Sequence, residues 1–229
     1  VHVLDAVSGK TQQIIKGSEK TKQIIYREGY LLLLSDDEVN QMEKIDAARR
    51  RGKFFKHHCH VMKVDVTTGK TVWKRDIEEL LFPCMALKNN QVLLQSPTRV
   101  IALEQETGKD QWSANFQAEL PIPGNKLKND EMQWEAPTLV VTDEVVLSSD
   151  FKKIRAYDAK SGKELWSGKS ANGYNSPADV FLIDGLLWMG GKGGRRAYDP
   201  RTGKLRKSLP NKGGYMHARC YRNKATERF

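Results

Sequence analysis

Cysteine is scarce in this 229-residue chain: Cys59, Cys84 and Cys220 are the only three, and none belongs to a C-x-x-C pair or a haem-attachment site. An odd, sparse count argues against a disulfide framework and leaves the redox compartment open. Long apolar runs are also missing. The longest, Tyr30 to Leu34, falls far short of the ~20 residues a membrane-spanning helix needs. No G-x-S-x-G, H-E-x-x-H, P-loop or dinucleotide fingerprint occurs, so the common nucleophile, zinc and nucleotide sites find no support. The chain is 39% apolar and 29% charged, which excludes disordered and collagen-like classes. Its length allows one large domain or two small ones. The start, Val1-His2-Val3-Leu4-Asp5, reads as a strand entering a turn and not as a signal peptide, so a mature or truncated beginning is expected.

Repetition is what the chain has in abundance. Asp/Glu-x-x-Ser/Thr-Gly-Lys occurs five times: DAVSGK (5–10), DVTTGK (65–70), EQETGK (104–109), DAKSGK (158–163) and DPRTGK (199–204). The acids are Asp5, Asp65, Glu104, Asp158 and Asp199, and the glycines Gly9, Gly69, Gly108, Gly162 and Gly203. An acid and a hydroxyl can bond the N–H groups of a tight turn, and glycine supplies the positive φ. Alternating apolar residues flank the motif, so each copy is expected to be a β-hairpin turn.

A second turn signal precedes three copies at a constant distance. Asn90, Glu144 and Gly185 each lie 18 residues before the next repeat glycine. The matching turn near Gly29 lies 40 residues before Gly69, a surplus of about 22. That surplus predicts a basic surface excursion over about residues 37–60, outside the strand core. Units of short antiparallel strands spaced 39 to 60 residues apart predict an all-β chain. Its expected architecture is a β-propeller of four-stranded antiparallel blades forming a single array over 1–229.

The inner copies AYDAKSGKELW (156–166) and ALEQETGKDQW (102–112) resemble the tryptophan-docking motif of PQQ-like, quinoprotein-type propeller repeats. KVDVTTGKTVW (63–73) fits except that Lys63 replaces the small residue. Trp73, Trp112 and Trp166 then read as structural wedges between blades, each large ring finding a partner for its indole N–H. Gln13 and Lys207 stand at the same position in the end copies. About five blades are present, where the family commonly has seven or eight, so the resemblance implies part of a longer propeller. YNSPADVFLIDGLLWMG (174–190) and RCYRNKATERF (219–229) are also similar to large planctomycete-type bacterial members.

Charge is concentrated. The formal charge is +10, and residues 192–228 carry twelve Lys/Arg against Asp199 and Glu227, so the rest of the chain balances. Such a segment is a footprint for an anion, or a solvated face. Within and beside it, Asn175, Ser176, His217, Arg219, Tyr221 and Arg222 are candidate ligand-binding residues. A guanidinium beside an aromatic can grip a carboxylate or stack on a planar ligand. The run His57-His58-Cys59-His60 is read as solvated loop, because zinc needs four converging ligands and no partner cluster exists in the sequence.

Fold alone does not choose a function. The expectation is a non-catalytic binding or scaffolding domain of an exported, periplasmic bacterial protein, without cofactor. Its expected partner is another protein or a fused domain, with an anionic small ligand as a further option. The alternative that the resemblance implies is a quinoprotein oxidoreductase using PQQ and calcium, although the adjacent cysteines typical of those enzymes are missing. A polyanion or nucleic-acid binder is the third reading, suited to the charge but not to the family.

Overall fold

The computed structural model describes residues 1–36, 58–77, 85–96, 98–116, 138–149, 153–170, 180–191 and 194–210. All of its regular structure is β. A two-stranded hairpin, β1 (His2–Leu4) and β2 (Thr11–Ile14), is followed by four antiparallel four-stranded sheets. The first blade holds β3 (Thr21–Arg27), β4 (Tyr30–Asp36), β5 (Cys59–Asp65) and β6 (Thr71–Ile77). The second holds β7 (Met85–Lys88), β8 (Gln91–Gln95), β9 (Arg99–Glu104) and β10 (Asp110–Asn115). The third holds β11 (Thr138–Val141), β12 (Val145–Ser149), β13 (Lys153–Asp158) and β14 (Glu164–Lys169). The fourth holds β15 (Val180–Ile183), β16 (Leu186–Gly191), β17 (Gly194–Tyr198) and β18 (Leu205–Leu209).

Within every blade the strands pair in sequence order, and the first strands β3, β7, β11 and β15 lie against one another from blade to blade. In the second and third blades the second and third strands are buried on both faces, whereas the fourth strands of the third and fourth blades are largely exposed. This radial order, inner strand to outer strand, is that of a β-propeller. The physical cause is legible in β8, Gln91–Gln95, whose burial on both sides lets Val92 and Leu94 face one neighbour and Leu93 the other. Each interface is one apolar cluster. Leu34 and Val61 of the first blade meet Leu94 and Ile101 of the second, while Val145, Leu147 and Ile154 of the third meet Leu187 and Met189 of the fourth.

Two sequence expectations change. The excursion predicted over 37–60 falls mostly outside the described residues, but its last two positions belong to β5. Cys59 is wholly buried and His60 nearly so, each paired across to β4, at Asp36 and Ser35 respectively. Of the expected loop histidines, His58 is exposed and His57 lies outside the described residues. Burial between two blades overrides the weak strand preference of a His-Cys-His run. Lys63, out of pattern in the repeat, is accommodated by reach. Its side chain is 1% exposed, yet Nζ bonds Glu106 Oε2 of the next blade at 2.5 Å and sits 4.1 Å over the Tyr30 ring. The long aliphatic stem lies in the interface and the charge meets a carboxylate at its edge.

Candidate functional site

The repeated acids, the residues most easily mistaken for a metal or catalytic set, act within their own turns. Asp158 Oδ1 accepts from the Ser161 N–H at 2.9 Å and from Ser161 Oγ at 2.8 Å. Asp5 does the same with Ser8, and Asp65 with Thr68. Glu104, one methylene longer, takes the Thr107 hydroxyl at 2.5 Å. The five repeat glycines all adopt φ between 68° and 70°, as the turn requires. The pKa values follow. Hydrogen bonds from the backbone and hydroxyl of Ser8 and Thr68 lower Asp5 and Asp65, and those of Ser161 lower Asp158. Asp199, held first by Arg206 and then by the Thr202 N–H, falls to about 2.

A carboxylate depressed in the folded state contributes stability above its unfolded pKa and loses it as pH falls through the folded value. For Asp199 the window runs from the ordinary carboxylate range near 3.8 down to about 2. The Asp199→Asn variant should therefore be less stable than the parent at pH 6. That difference should shrink progressively below pH 4, as read by denaturant midpoints across pH.

The turns also receive the neighbouring blade. Trp73 Nε1 donates to the Gln105 carbonyl at 2.9 Å, Trp112 Nε1 to Ala159 at 3.0 Å and Trp166 Nε1 to Pro200 at 2.8 Å. In each case the acceptor follows the turn acid of the next blade. Each indole also covers that turn's glycine, Gly108, Gly162 or Gly203, leaving no room for a Cβ. Trp112 is 8% exposed, while Trp73 and Trp166 are half-buried. Gln13 of the hairpin occupies the same place. With the amide oriented so that each atom meets a complementary partner, it donates to the Val66 carbonyl at 3.0 Å and accepts from the Gly69 N–H at 3.1 Å. Lys207, the fourth-blade counterpart, is exposed.

Antiparallel alternation puts all these turns at one end of the blades. The connections that contain 37–57, 78–84, 117–137 and 171–179 leave from the other end. Asn175 and Ser176 fall in the link from β14 to β15; His217, Arg219, Tyr221 and Arg222 follow β18. All six lie outside the described residues, although both segments are anchored at that same end. Of the basic segment, Arg195, Arg196, Arg201, Lys204, Arg206 and Lys207 are described, and all are exposed on the fourth blade. Two are paired: Arg206 with Asp199 at 2.8 Å, and Arg201 with Glu144 of the third blade at 3.3 Å. Among the described residues, no group of three or more His, Cys, Asp or Glu is placed to hold a metal ion.

What sequence reasoning missed is a set of buried polar side chains near the loop-bearing end. Gln95 and Ser148 are fully buried and Arg155 is 4% exposed, its guanidinium 4.4 Å over the Phe116 ring. Along the chain Gln95 and Ser148 read as the polar end of an otherwise apolar strand, and Arg155 as one polar residue of an alternating strand.

Comparison with known proteins bears on this arrangement. The family model described as outer membrane protein assembly factor BamB matches residues 57–216. Outer membrane protein assembly factor BamB of Bordetella pertussis (strain Tohama I) is 26% identical over 149 residues, covering 63% of this chain and 35% of the relative. The chain thus spans about a third of the length of that curated relative. Among solved structures, quinohemoprotein alcohol dehydrogenase from Comamonas testosteroni superposes with a TM-score of 0.52 at 16% identity, over 84% of this chain and 35% of that one. The computationally designed Ika4 protein gives 0.51 at 15% identity, over 81% and 95%. At such identities the two structures share the fold.

Proposed function

The chain belongs to the outer membrane protein assembly factor BamB family of PQQ-like repeat propellers, and from that premise we propose that it is a non-catalytic, protein-binding scaffold of the periplasm that serves outer membrane protein assembly. One observation carries the reading. The recurrent polar groups of the repeat, turn acid, hydroxyl and indole, are committed to holding turns and adjacent blades together. The fold is thus a rigid platform whose binding chemistry must come from its loop-bearing end and its exposed sheet surfaces. A platform of this kind suits partners that need a fixed surface, and the likeness to an assembly factor supports protein partners over small substrates.

Photo-crosslinking in cells tests it directly. A crosslinker at Lys153, beside the loop-bearing end, should capture components that insert outer-membrane β-barrels. The same group at Ser8 or Thr202, on the turn end, should not. Equal capture from both ends, or none from Lys153, would sink the scaffold reading.

The structural likeness to a quinohemoprotein dehydrogenase keeps a PQQ- and calcium-dependent oxidoreductase as the second reading. Calcium takes six to eight oxygen ligands. The turn carboxylates do not fit that requirement, because Asp5, Asp65, Asp158 and Asp199 each already accept N–H groups of their own turn. The purified protein supplied with PQQ and calcium is expected to show no alcohol- or sugar-dependent dye reduction. Robust turnover would promote the oxidoreductase.

A further inference from the structure

Repetition allows the blade faces to be compared position by position, and two faces lack the cover that their equivalents have. Each blade turns one face back toward the blade before it and the other forward. The backward face of the third blade is closed: Leu139 and Val141 of β11 pack, with buried Val146 and Tyr157, against the second blade. Near the start of the chain the places of Leu139, Val141 and Tyr157 are taken by Ile24, Tyr26 and Leu4, each more than half exposed. The forward face of the third blade is closed too, with Val145 and Leu147 wholly buried against the fourth. On the fourth blade the same two places hold Leu186 and Trp188, which are half-buried, and Ile183, paired across to Leu186, is exposed. Among the described residues ten large apolar side chains are exposed, and nine lie on the hairpin, on β3 or on the fourth blade; the tenth is Val72.

The turn end repeats the contrast. Four repeat turns receive a side chain from the unit before: Gln13 lies over Gly69, and Trp73, Trp112 and Trp166 lie over Gly108, Gly162 and Gly203. The indole N–H groups reach the carbonyl of the residue after each turn acid. The fifth turn, residues 5–10, keeps the same positive φ at Gly9, but nothing lies within 4 Å of a Cβ placed there. Ala6, the residue after its acid, is exposed. Lys207 stands at the docking position of the fourth blade, also exposed. Pairing sets it opposite Ala197, and Leu209 opposite Arg195, on the same forward face as Trp188. Its ammonium is an N–H donor with long reach, as the indole and the amide are donors at that place. The chain thus carries one turn with no docked side chain and one docking position with no turn.

We propose that these two faces are the halves of one interface, and that a second copy of this chain supplies the missing half to each, head to tail. The contact continues the one that the chain already makes between its blades: forward face on backward face, docking residue on turn. The two layouts match from the axis outward. At the inner strands Ile183 of β15 meets Ile24 and Tyr26 of β3, as β11 meets β7 and β15 within one chain. At the outer strands Leu209 and Lys207 of β18 meet Leu4, Ile14 and the turn at Gly9. Exposed apolar faces of this kind mark interaction sites. A heterologous contact either closes into a ring or grows without end. Two copies bring eight first strands around one axis, within the about four to eight blades that such rings hold, so closure at two copies is expected. The interface leaves the loop-bearing end open and goes beyond the scaffold reading, which needs no second copy.

Analytical ultracentrifugation of the full chain across a concentration series is the test. A reversible monomer–dimer equilibrium that stops at two copies is the expected result. Ile24→Glu on one face and Leu209→Glu on the other change exposed positions, where the monomer fold is not at stake. Each should weaken the dimer at least tenfold. Val72→Glu, exposed but on neither face, should leave it unchanged. Lys207→Trp, which copies the inner repeats, should tighten the dimer at least tenfold. Adding Gly9→Ala should remove that gain, because its Cβ has space in the single chain but would meet a docked ring. A chain that stays monomeric at every concentration would overturn the proposal. So would association that grows past two copies, or that Val72→Glu weakens as much as the two face variants do.

Discussion

Replacing Trp112 with alanine is expected to lower unfolding free energy by about 3–5 kcal/mol, the range for truncating a large buried aromatic. Trp112 is the most deeply buried of the three repeat indoles and lies in the cluster that joins the second blade to the third. Its removal takes away the ring that covers Gly162 and the hydrogen bond to the Ala159 carbonyl. In an array whose blades contact mainly their neighbours, loss at one interface uncouples the two sides. Urea unfolding of the variant should accordingly show a reduced slope or two transitions as well as a lower midpoint. Trp112→Phe separates the parts: it keeps most of the ring, loses the N–H, and should cost about 1 kcal/mol for the hydrogen bond. Trp166→Ala, at a half-buried ring, should cost less than Trp112→Ala. An exposed-residue effect below about 0.5 kcal/mol at Trp112 would mean that the blades are not held together there.

The strands and their turns were legible because the repeat glycine fixes each hairpin. Once Gly162 is a positive-φ turn residue, alternation through Ile154 and Ala156 on one side and Leu165 on the other assigns the sheet faces. The preceding turns were legible too, though they differ in kind. Asn89, Asn90, Asp184 and Gly185 take positive φ, whereas at Asp143-Glu144 the Thr142 hydroxyl accepts the following N–H groups at 3.2 and 2.8 Å. The start of β5 was not legible. His60 and Cys59 carry no strand signature, and only the blades on either side of them make burial the deciding term. Gln13 was read as a departure from the repeat; its amide lies against the next turn and, oriented to match its neighbours, makes the carbonyl contact that an indole makes elsewhere.

The site was far less legible than the fold. The residues singled out for ligand binding were chosen by charge and residue type, and both criteria favour loops. The buried polar residues Gln95, Ser148 and Arg155 look unremarkable along the chain. Gln95 ends the run QVLLQ, and Arg155 alternates within KIRAYD as any edge-facing residue would. Their polar character stands out only when residues some fifty to sixty positions apart are superimposed by repeat and Leu34 and Leu94 are seen to hold the places of Gln95 and Ser148. Sequence order hides that comparison, whereas strand register exposes it.

Placing a single methyl group at Gly162 should be among the most damaging small changes in the molecule. Two costs combine there. The backbone sits at φ +70°, where an L-residue is strained by about 1–2 kcal/mol. A Cβ would also strike the Trp112 ring, lying 2.7 Å from Cδ2 and closer still to Cε3, which forces a packed side chain to move at about 1–3 kcal/mol. Gly9 supplies the control, because it has nearly the same φ, +68°, with nothing within 4 Å of a Cβ. Gly9→Ala should therefore show the backbone cost alone. The excess loss at Gly162→Ala measures the clash, and a double-mutant cycle identifies its source. In a Trp112→Ala background the indole is gone, so Gly162→Ala should fall to the Gly9→Ala value. The cycle should then give a coupling of about 1–3 kcal/mol between two residues 50 positions apart in the chain. Equal losses at Gly9 and Gly162, with no coupling to Trp112, would show that the indole does not press on the turn and would remove the physical basis for the repeat's glycine–tryptophan pairing.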